Sequence, residues 1–128
     1  MKIIGIGVDI VETSRIESSI ARHGAKFLDR LFTAEERRYC DTQSVPARCY
    51  AARFAAKEAV AKAFGTGIGA ELEWLDIIVK RSEAGKPSIE LCGLGRATAE
   101  RLGVTEIMLS MSHSDHYAVA QVVACGRE

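Results

Sequence analysis

The order of apolar and polar residues in the first part of the chain predicts one strand followed by helices. Residues 2–11, KIIGIGVDIV, are rich in isoleucine and valine and predict a buried strand. A helix is expected from Ser14, where Glu17 has capping-box spacing, to about Gly24. A second short helix is expected around KFLDRL, residues 26–31.

The middle of the chain predicts a long helix. Thr33 and Glu36 repeat the capping-box spacing and predict a helix through ERRYC. Pro46 suits the first turn of a helix that continues to Phe64, because this segment is built largely from alanine and contains no further proline.

The second half predicts mainly strands. Together with the first half, this order of elements indicates an α+β fold. Strands are expected at 75–81, 88–91, 107–112 and 117–124, and a helix at 94–102.

Composition narrows the class of protein. The 128 residues suggest a single domain, 1–128, and a hydrophobic content of 48% suffices for a core. With 17 basic and 17 acidic residues, the net charge of zero argues against a surface devoted to nucleic acid or to an anionic membrane. The N-terminal apolar run is broken by Asp9 and Glu12, so neither a membrane span nor a signal peptide is expected. We therefore expect a cytoplasmic protein.

The four cysteines show no metal-site spacing. They form no Cys-x-x-Cys pair and are expected to be reduced thiols in a cytosolic protein. They are Cys40, Cys49, Cys92 and Cys125.

Asp9 is the first residue with a chemical implication, because it interrupts an otherwise apolar strand. A buried carboxylate is costly unless it is paired or binds a metal. The alternative is an aspartate that caps the turn after the strand. Gly5 and Gly7 on the same strand allow a close approach to its backbone.

Two charged residues interrupt the alanine-rich helix on one face. Glu58 and Lys62 are one turn apart, which indicates either a shared functional site or an ordinary surface ion pair. Gly65 directly follows the predicted helix. It either caps the C-terminus of the helix or belongs to a loop whose backbone N–H groups face a phosphate.

The same helix carries ligand-like residues on a second face. Arg53 and Lys57 lie about 140° or more from the stripe of Glu58 and Lys62. One small site in a monomer cannot easily use both faces. An oligomer that places this helix between two sites is therefore a hypothesis.

These residues together favour metal-assisted phosphate chemistry. Asp9 and Glu58 offer the carboxylate oxygens that Mg²⁺ prefers. Lys62, Arg53 and His113 offer positive or hydrogen-bond-donating groups for phosphate. His116, three residues after His113, is expected to be a solvated turn residue.

Four motifs resemble one family across almost the whole chain. GIGVDIVETSRI, RFAAKEAVAKAFGTGIG, WLDIIV and SMSHSDHYAVAQVV look like holo-[acyl-carrier-protein] synthase, the short, single-domain 4'-phosphopantetheinyl transferases. The resemblance implies a small, mostly antiparallel sheet packed with helices around one long central helix. It implies transfer of 4'-phosphopantetheine from coenzyme A to a serine of acyl carrier protein, with release of adenosine 3',5'-bisphosphate, in fatty acid biosynthesis.

The resemblance also implies roles for individual residues. The family's metal ligands fall on Asp9 and Glu58, and its pyrophosphate-binding lysine on Lys62. Either a metal-bound water or one of the carboxylates could accept the serine proton. Arg15 and Arg22 share a helix face and are candidates for docking the acidic carrier protein, the alternative being a solvated face.

The family is typically trimeric, with coenzyme A between subunits, which fits a helix with two functional faces. Further contacts with coenzyme A are implied at Arg48, Arg53, Gly65, Pro87, Ser112 and His113.

Two other functions are compatible with the residues alone. A Mg²⁺-dependent nucleoside-diphosphate hydrolase is weakened by the absence of an Arg-Glu-x-x-Glu-Glu run. A non-catalytic module that binds coenzyme A would have no need for Asp9 and Glu58 together.

Overall fold

The computed structural model describes all 128 residues and shows two antiparallel sheets with five α-helices. The larger sheet has the strand order β1-β5-β4, and β2 pairs with β3 in the smaller one, so the α+β prediction is confirmed. A single 3-10 turn, Trp74–Asp76, precedes β2. The elements in chain order are β1 (Lys2–Glu12), α1 (Thr13–His23), α2 (Ala25–Leu31), α3 (Ala34–Asp41), α4 (Pro46–Phe64), β2 (Ile77–Arg81), β3 (Pro87–Leu91), α5 (Gly93–Leu102), β4 (Val104–His113) and β5 (Tyr117–Gly126).

The first strand is present as predicted, but only one of its faces is buried. Side chains alternate between the two faces of a strand. Ile6, Val8 and Ile10 are 66%, 56% and 65% exposed, whereas Val11 is buried. The prediction of a buried strand is therefore confirmed for the face toward the helices and wrong, within a single chain, for the face that points away from them.

The buried face of β1 lies directly on α4. A Cβ atom added at Gly5 would overlap the carbonyl oxygen of Ala63, and one added at Gly7 would overlap that of Ala59. The two glycines therefore let the backbones of strand and helix touch, as their positions in the sequence suggested.

The long central helix begins and ends where the sequence predicted. Pro46 occupies its first turn, and Gly65 caps its end with a φ of 75°, in the left-handed region that favours glycine. Ala51, Ala55 and Ala59 are completely buried, so α4 forms the centre of the core. Neither α4 nor any other helix combines the length and the apolar character needed to cross a membrane.

One of the two predicted capping boxes is present. The Thr33 hydroxyl accepts a hydrogen bond from the Glu36 backbone N–H at 3.2 Å, and the Thr33 N–H donates to Glu36 Oε1 at 2.8 Å. The other prediction is wrong, because α1 begins at Thr13 and its N-cap residue, Glu12, makes no side-chain capping bond.

A buried ion pair joins α3 to α4. Lys57 is completely buried, and its ammonium group donates to Glu36 Oε1 and to the Leu31 carbonyl, both at 2.8 Å. The ammonium also donates to the Trp74 carbonyl at 3.2 Å, and the Val79 N–H donates to Glu36 Oε2 at 2.9 Å. The Lys57 ammonium thus makes three hydrogen bonds inside the core. The hypothesis that Lys57 contacts a ligand is therefore wrong.

The cysteines differ from their expected state. Cys40 on α3 and Cys49 on α4 form a disulfide, with their Cα atoms 5.3 Å apart. Cys92 and Cys125 are free thiols. The expectation of four reduced thiols is therefore wrong for the first pair, because the fold brings together two cysteines from consecutive helices.

Candidate active site

Asp9, Glu58 and Lys62 come together where β1 crosses α4. Both carboxylates line one cavity of about 350 Å³. Lys62 Nζ donates hydrogen bonds of 3.0 Å to Asp9 Oδ1 and to the Val8 carbonyl. Two of the three ammonium hydrogens are thereby engaged, and one remains for another acceptor.

The electrostatics of this cluster favour a bound cation. Burial raises the pKa of the Glu58 carboxyl, and the negative charge of Asp9 raises it further, while Lys62 opposes the shift. A cation between the two carboxylates would relieve both effects.

The donor set suits a hard divalent cation. Mg²⁺ is usually held by one or two carboxylates and keeps several water molecules. Asp9 and Glu58 are the two acidic residues that line this cavity, and their carboxylates could hold such an ion.

An apolar groove with basic residues along its rim leads away from the carboxylates. The cavity of Asp9 and Glu58 shares Phe27 and Phe54 with a second cavity of about 500 Å³. The Phe54 and Trp74 rings stack with centroids 5.1 Å apart. We call the two cavities together the basic groove; its basic residues are Arg15, His23, Lys26 and Arg30.

Only part of the basic groove could be anticipated from the amino-acid sequence. Of the two candidates for docking the partner protein, Arg15 lines the basic groove, whereas Arg22 is exposed in the last turn of α1 and lines neither cavity. Phe54 lies one turn before Glu58 on α4, and this spacing was the signal in the sequence that could have identified it.

Several arginines converge in a different cavity on the other side of α4. Arg48, Arg53 and His113 line a space of about 110 Å³, together with Tyr39 and Arg81. We call it the arginine cavity. It contains no acidic lining residue and shares no lining residue with the cavity of Asp9 and Glu58. The two groups of candidate residues on α4 therefore do not meet within one subunit.

The remaining candidates lie outside these cavities. Pro87 begins β3, opposite Arg81 in the β2–β3 ladder. Ser112 is exposed on β4, opposite Val119 of β5. Gly65 caps α4, and its N–H donates to the Lys62 carbonyl at 3.1 Å.

Comparisons with known proteins point to one family. The profile of the 4'-phosphopantetheinyl transferase superfamily matches residues 5–122. Holo-[acyl-carrier-protein] synthase of Koribacter versatilis is 45% identical over 121 residues, which cover 94% of this chain and 97% of the relative.

Solved structures agree with the sequence match. The crystal structure of holo-[acyl-carrier-protein] synthase from Neisseria meningitidis superposes with a TM-score of 0.89 at 37% identity, covering 95% of this chain and 98% of that one. The enzyme from Helicobacter pylori, solved in complex with coenzyme A, gives a TM-score of 0.84 at 35% identity, covering 94% and 99%. The chain therefore belongs to the 4'-phosphopantetheinyl transferase superfamily and, within it, to the holo-[acyl-carrier-protein] synthases.

Proposed function

We propose that this chain transfers 4'-phosphopantetheine from coenzyme A to a serine of apo acyl carrier protein and so serves fatty acid biosynthesis. Family membership and the coenzyme A complex of the Helicobacter pylori relative support the reaction. The observation that carries it is that Asp9 and Glu58 line one cavity, with Lys62 hydrogen-bonded to Asp9 beside it.

The reaction is a phosphoryl transfer with a balanced exchange of bonds. The serine oxygen forms a bond to the phosphorus that carries pantetheine, and the bond from that phosphorus to the bridging oxygen of the diphosphate breaks. The serine proton is released, and adenosine 3',5'-bisphosphate leaves. Catalysis of this kind depends mainly on positioning and on neutralising the oxygens around phosphorus.

The residues of the site match those demands. Lys62 keeps one ammonium hydrogen free for a diphosphate oxygen, while its bonds to Asp9 and to the Val8 carbonyl fix its direction. Asp9 and Glu58 would hold Mg²⁺, which when bound supplies positive charge to the diphosphate oxygens.

Intact mass spectrometry tests the reaction. Apo acyl carrier protein is incubated with this protein, coenzyme A and Mg²⁺, and a parallel sample contains EDTA. We expect the carrier to gain the mass of one phosphopantetheine, and the gain to disappear with EDTA. Cleavage of coenzyme A without a gain on the carrier would favour the hydrolase, and intact coenzyme A would favour the binding module.

The basic groove is the proposed docking site for the carrier protein. It begins at the two carboxylates, its floor is aromatic, and its rim is positively charged. An acidic carrier protein would match this charge and bring its serine to the cavity of Asp9 and Glu58. Arg22, although outside the cavities, remains on the same helix as Arg15 and extends the positive surface.

Replacing Arg15 or Arg22 with glutamine is expected to raise the KM for the carrier protein on the order of tenfold at low salt, because long-range attraction is lost. The KM for coenzyme A should change much less. Arg96→Gln, at an exposed position of α5, is the matched control. An equal rise in both KM values, or none in either, would contradict the docking role.

The chain is also proposed to form a homotrimer with its sites between subunits. One face of the three-stranded sheet is uncovered and largely apolar, as is typical of a subunit interface. We call it the open face; its residues are Ile6, Val8 and Ile10 of β1, Val119, Gln121 and Val123 of β5, and Met108, Ser110 and Ser112 of β4.

The arrangement of α4 supports this assembly. Glu58 and Arg53 face separate cavities of one subunit, so a neighbouring subunit is needed to bring an arginine cavity to the carboxylates. Ser112, implied as a contact with coenzyme A, lies on the open face and would then adjoin the interface.

Mixing two inactive variants tests the shared site. Co-expressed Glu58→Gln and Arg53→Gln chains are expected to recover about a quarter of the wild-type activity, the fraction of interfaces that pair two intact halves in random assembly. Sedimentation of each variant alone verifies that three chains still associate. Recovery of no activity from properly assembled mixtures would show that each subunit works by itself.

A further inference from the structure

The helix that lines most of the basic groove is short and has no side-chain cap at its start. α2 spans only seven residues, Ala25–Leu31, and its N-cap residue is Gly24. A helix of this length is marginal by itself, so α2 depends on contacts with the rest of the protein for its position. It nevertheless supplies four residues to the groove, which are Lys26, Phe27, Arg30 and Leu31.

The C-terminus of α2 is capped from inside the core by the Lys57 ammonium group. The last carbonyl groups of a helix lack partners within it, and their partial negative charge favours a cation. Lys57 Nζ donates a hydrogen bond of 2.8 Å to the carbonyl oxygen of Leu31, the last residue of α2. Because Lys57 is completely buried, water does not compete for this bond. The buried cation therefore holds the end of α2 in place.

The same ammonium group holds a second wall of the basic groove. It donates a hydrogen bond of 3.2 Å to the carbonyl oxygen of Trp74, whose ring stacks on Phe54. Phe54 lies on α4, three residues before Lys57. Leu31, Phe54 and Trp74 all line the larger cavity of the groove. One buried side chain thus connects α2, α4 and the 3-10 turn, the elements that carry these three lining residues.

Glu36 keeps the ammonium group in one orientation. Its Oε1 accepts hydrogen bonds of 2.8 Å from Lys57 Nζ and from the Thr33 N–H, and its Oε2 accepts one of 2.9 Å from the Val79 N–H. The carboxylate is therefore fixed by the start of α3 and by β2. The carboxylate and the two carbonyl groups use all three ammonium hydrogens, so Lys57 can act on the reaction only through the residues that it holds.

We propose that Lys57 is a positioning residue for carrier-protein docking, because its ammonium group fixes Leu31 and Trp74 on two walls of the basic groove. This inference rests on the proposed function. Groove side chains that are already in place reduce the ordering that accompanies binding. Lys57 does not line the cavity of Asp9 and Glu58, so the effect is expected on the affinity for the carrier rather than on the chemical step.

A split between the two KM values tests this role. Glu36→Gln combined with Lys57→Met removes the donor to both carbonyl groups without leaving an unpaired charge in the core. We expect the KM for the carrier protein to rise about tenfold, because binding must then order the groove side chains. The KM for coenzyme A and kcat should change less than about twofold, the pattern of a loss confined to binding of one substrate.

Val60→Ala is the matched control for a general loss of stability. Val60 is completely buried on α4, three residues after Lys57, and lines neither cavity of the basic groove. Its truncation leaves a cavity in the core and lowers stability, but the KM for the carrier protein should remain that of the wild type. A carrier KM that rises equally in the control and in the double variant, or in neither, would overturn the proposal.

A second double variant keeps a hydrogen-bond donor at position 57. Glu36→Gln combined with Lys57→Gln leaves an amide that can still donate to one of the two carbonyl groups. It should therefore retain part of the carrier affinity that the version with Lys57→Met loses. Equal losses in the two versions would contradict hydrogen bonding to the carbonyls as the cause. If the version with Lys57→Met does not fold, a wild-type carrier KM in the version with Lys57→Gln would overturn the proposal.

The fluorescence of Trp74 provides a readout that does not depend on transfer. Trp74 is the only tryptophan of the chain and lines the groove, so its emission reports the binding of a carrier protein that lacks tryptophan. Titration with the apo carrier should shift the emission of the wild type, and the version with Lys57→Met should require about tenfold more carrier.

The two readouts together separate this inference from the proposed function. Carrier binding that depends on Lys57, without any transfer, would refute the proposed reaction and retain the positioning role. Transfer accompanied by carrier binding that does not depend on Lys57 would refute the positioning role alone. An emission of the wild type that does not respond to the carrier would refute docking in the basic groove and, with it, this inference.

Discussion

Replacing Glu58 with glutamine is expected to lower kcat/KM for phosphopantetheine transfer by about 10²- to 10³-fold, the usual loss when one preorganised electrostatic contact is removed. The amide keeps the shape of the side chain but removes its charge, so the affinity for Mg²⁺ should fall in parallel. Steady-state assays at several Mg²⁺ concentrations, together with a direct Mg²⁺ titration, measure both effects.

The controls for this prediction use the partner carboxylate and a distant one. Asp9→Asn should cause a loss of similar size, and the double variant should fall little below the single ones, because residues that act as a unit are not additive. Glu100→Gln, exposed on α5, should behave as wild type. Near-normal transfer by both single variants, with an unchanged Mg²⁺ requirement, would refute the assignment of these carboxylates.

Replacing Lys57 with methionine is expected to reduce the free energy of unfolding by about 3–5 kcal/mol, because the change leaves the buried Glu36 carboxylate without its cation. It also removes the donor to the Leu31 and Trp74 carbonyls. The midpoint of urea unfolding, measured with its slope, gives the change in stability.

Two further variants isolate the contribution of the buried charge. Glu36→Gln combined with Lys57→Met should be more stable than Lys57→Met alone, because the double variant leaves no unpaired charge in the core. Lys80→Met, which breaks the exposed pair of Lys80 and Glu90, should leave the midpoint nearly unchanged. If Lys57→Met were as stable as Lys80→Met, Lys57 would not be a structural residue.

The parts of the fold that the sequence predicted well depend on local signals. Pro46 and Gly65 mark the two ends of α4 because each residue's backbone preference acts at its own position. The open face of β1 could not be predicted in this way. Its isoleucine and valine residues indicate a strand, but whether another surface covers them depends on elements distant in the sequence.

Local signals also determined which residues of the site could be predicted from the sequence. Asp9, Glu58 and Lys62 were identifiable because each stands out against apolar or alanine neighbours. Arg81 and Tyr39 were missed because neither interrupts a pattern, and their relation to Arg53 arises only when β2 and α3 pack beside α4. The pairing of Cys40 with Cys49 could likewise not be predicted, because it depends on how α3 and α4 pack against each other.

The contact of Gly5 and Gly7 with the carbonyl groups of α4 has a consequence for turnover. Main-chain atoms, rather than side chains that change rotamer, set the separation between the strand that carries Asp9 and the helix that carries Glu58. The carboxylates consequently acquire their relative position when the chain folds, and little reorganisation energy is required each time a substrate enters or a product leaves. This direct contact between backbones lets a domain of only 128 residues keep a polar site preorganised without an extensive supporting layer of side chains.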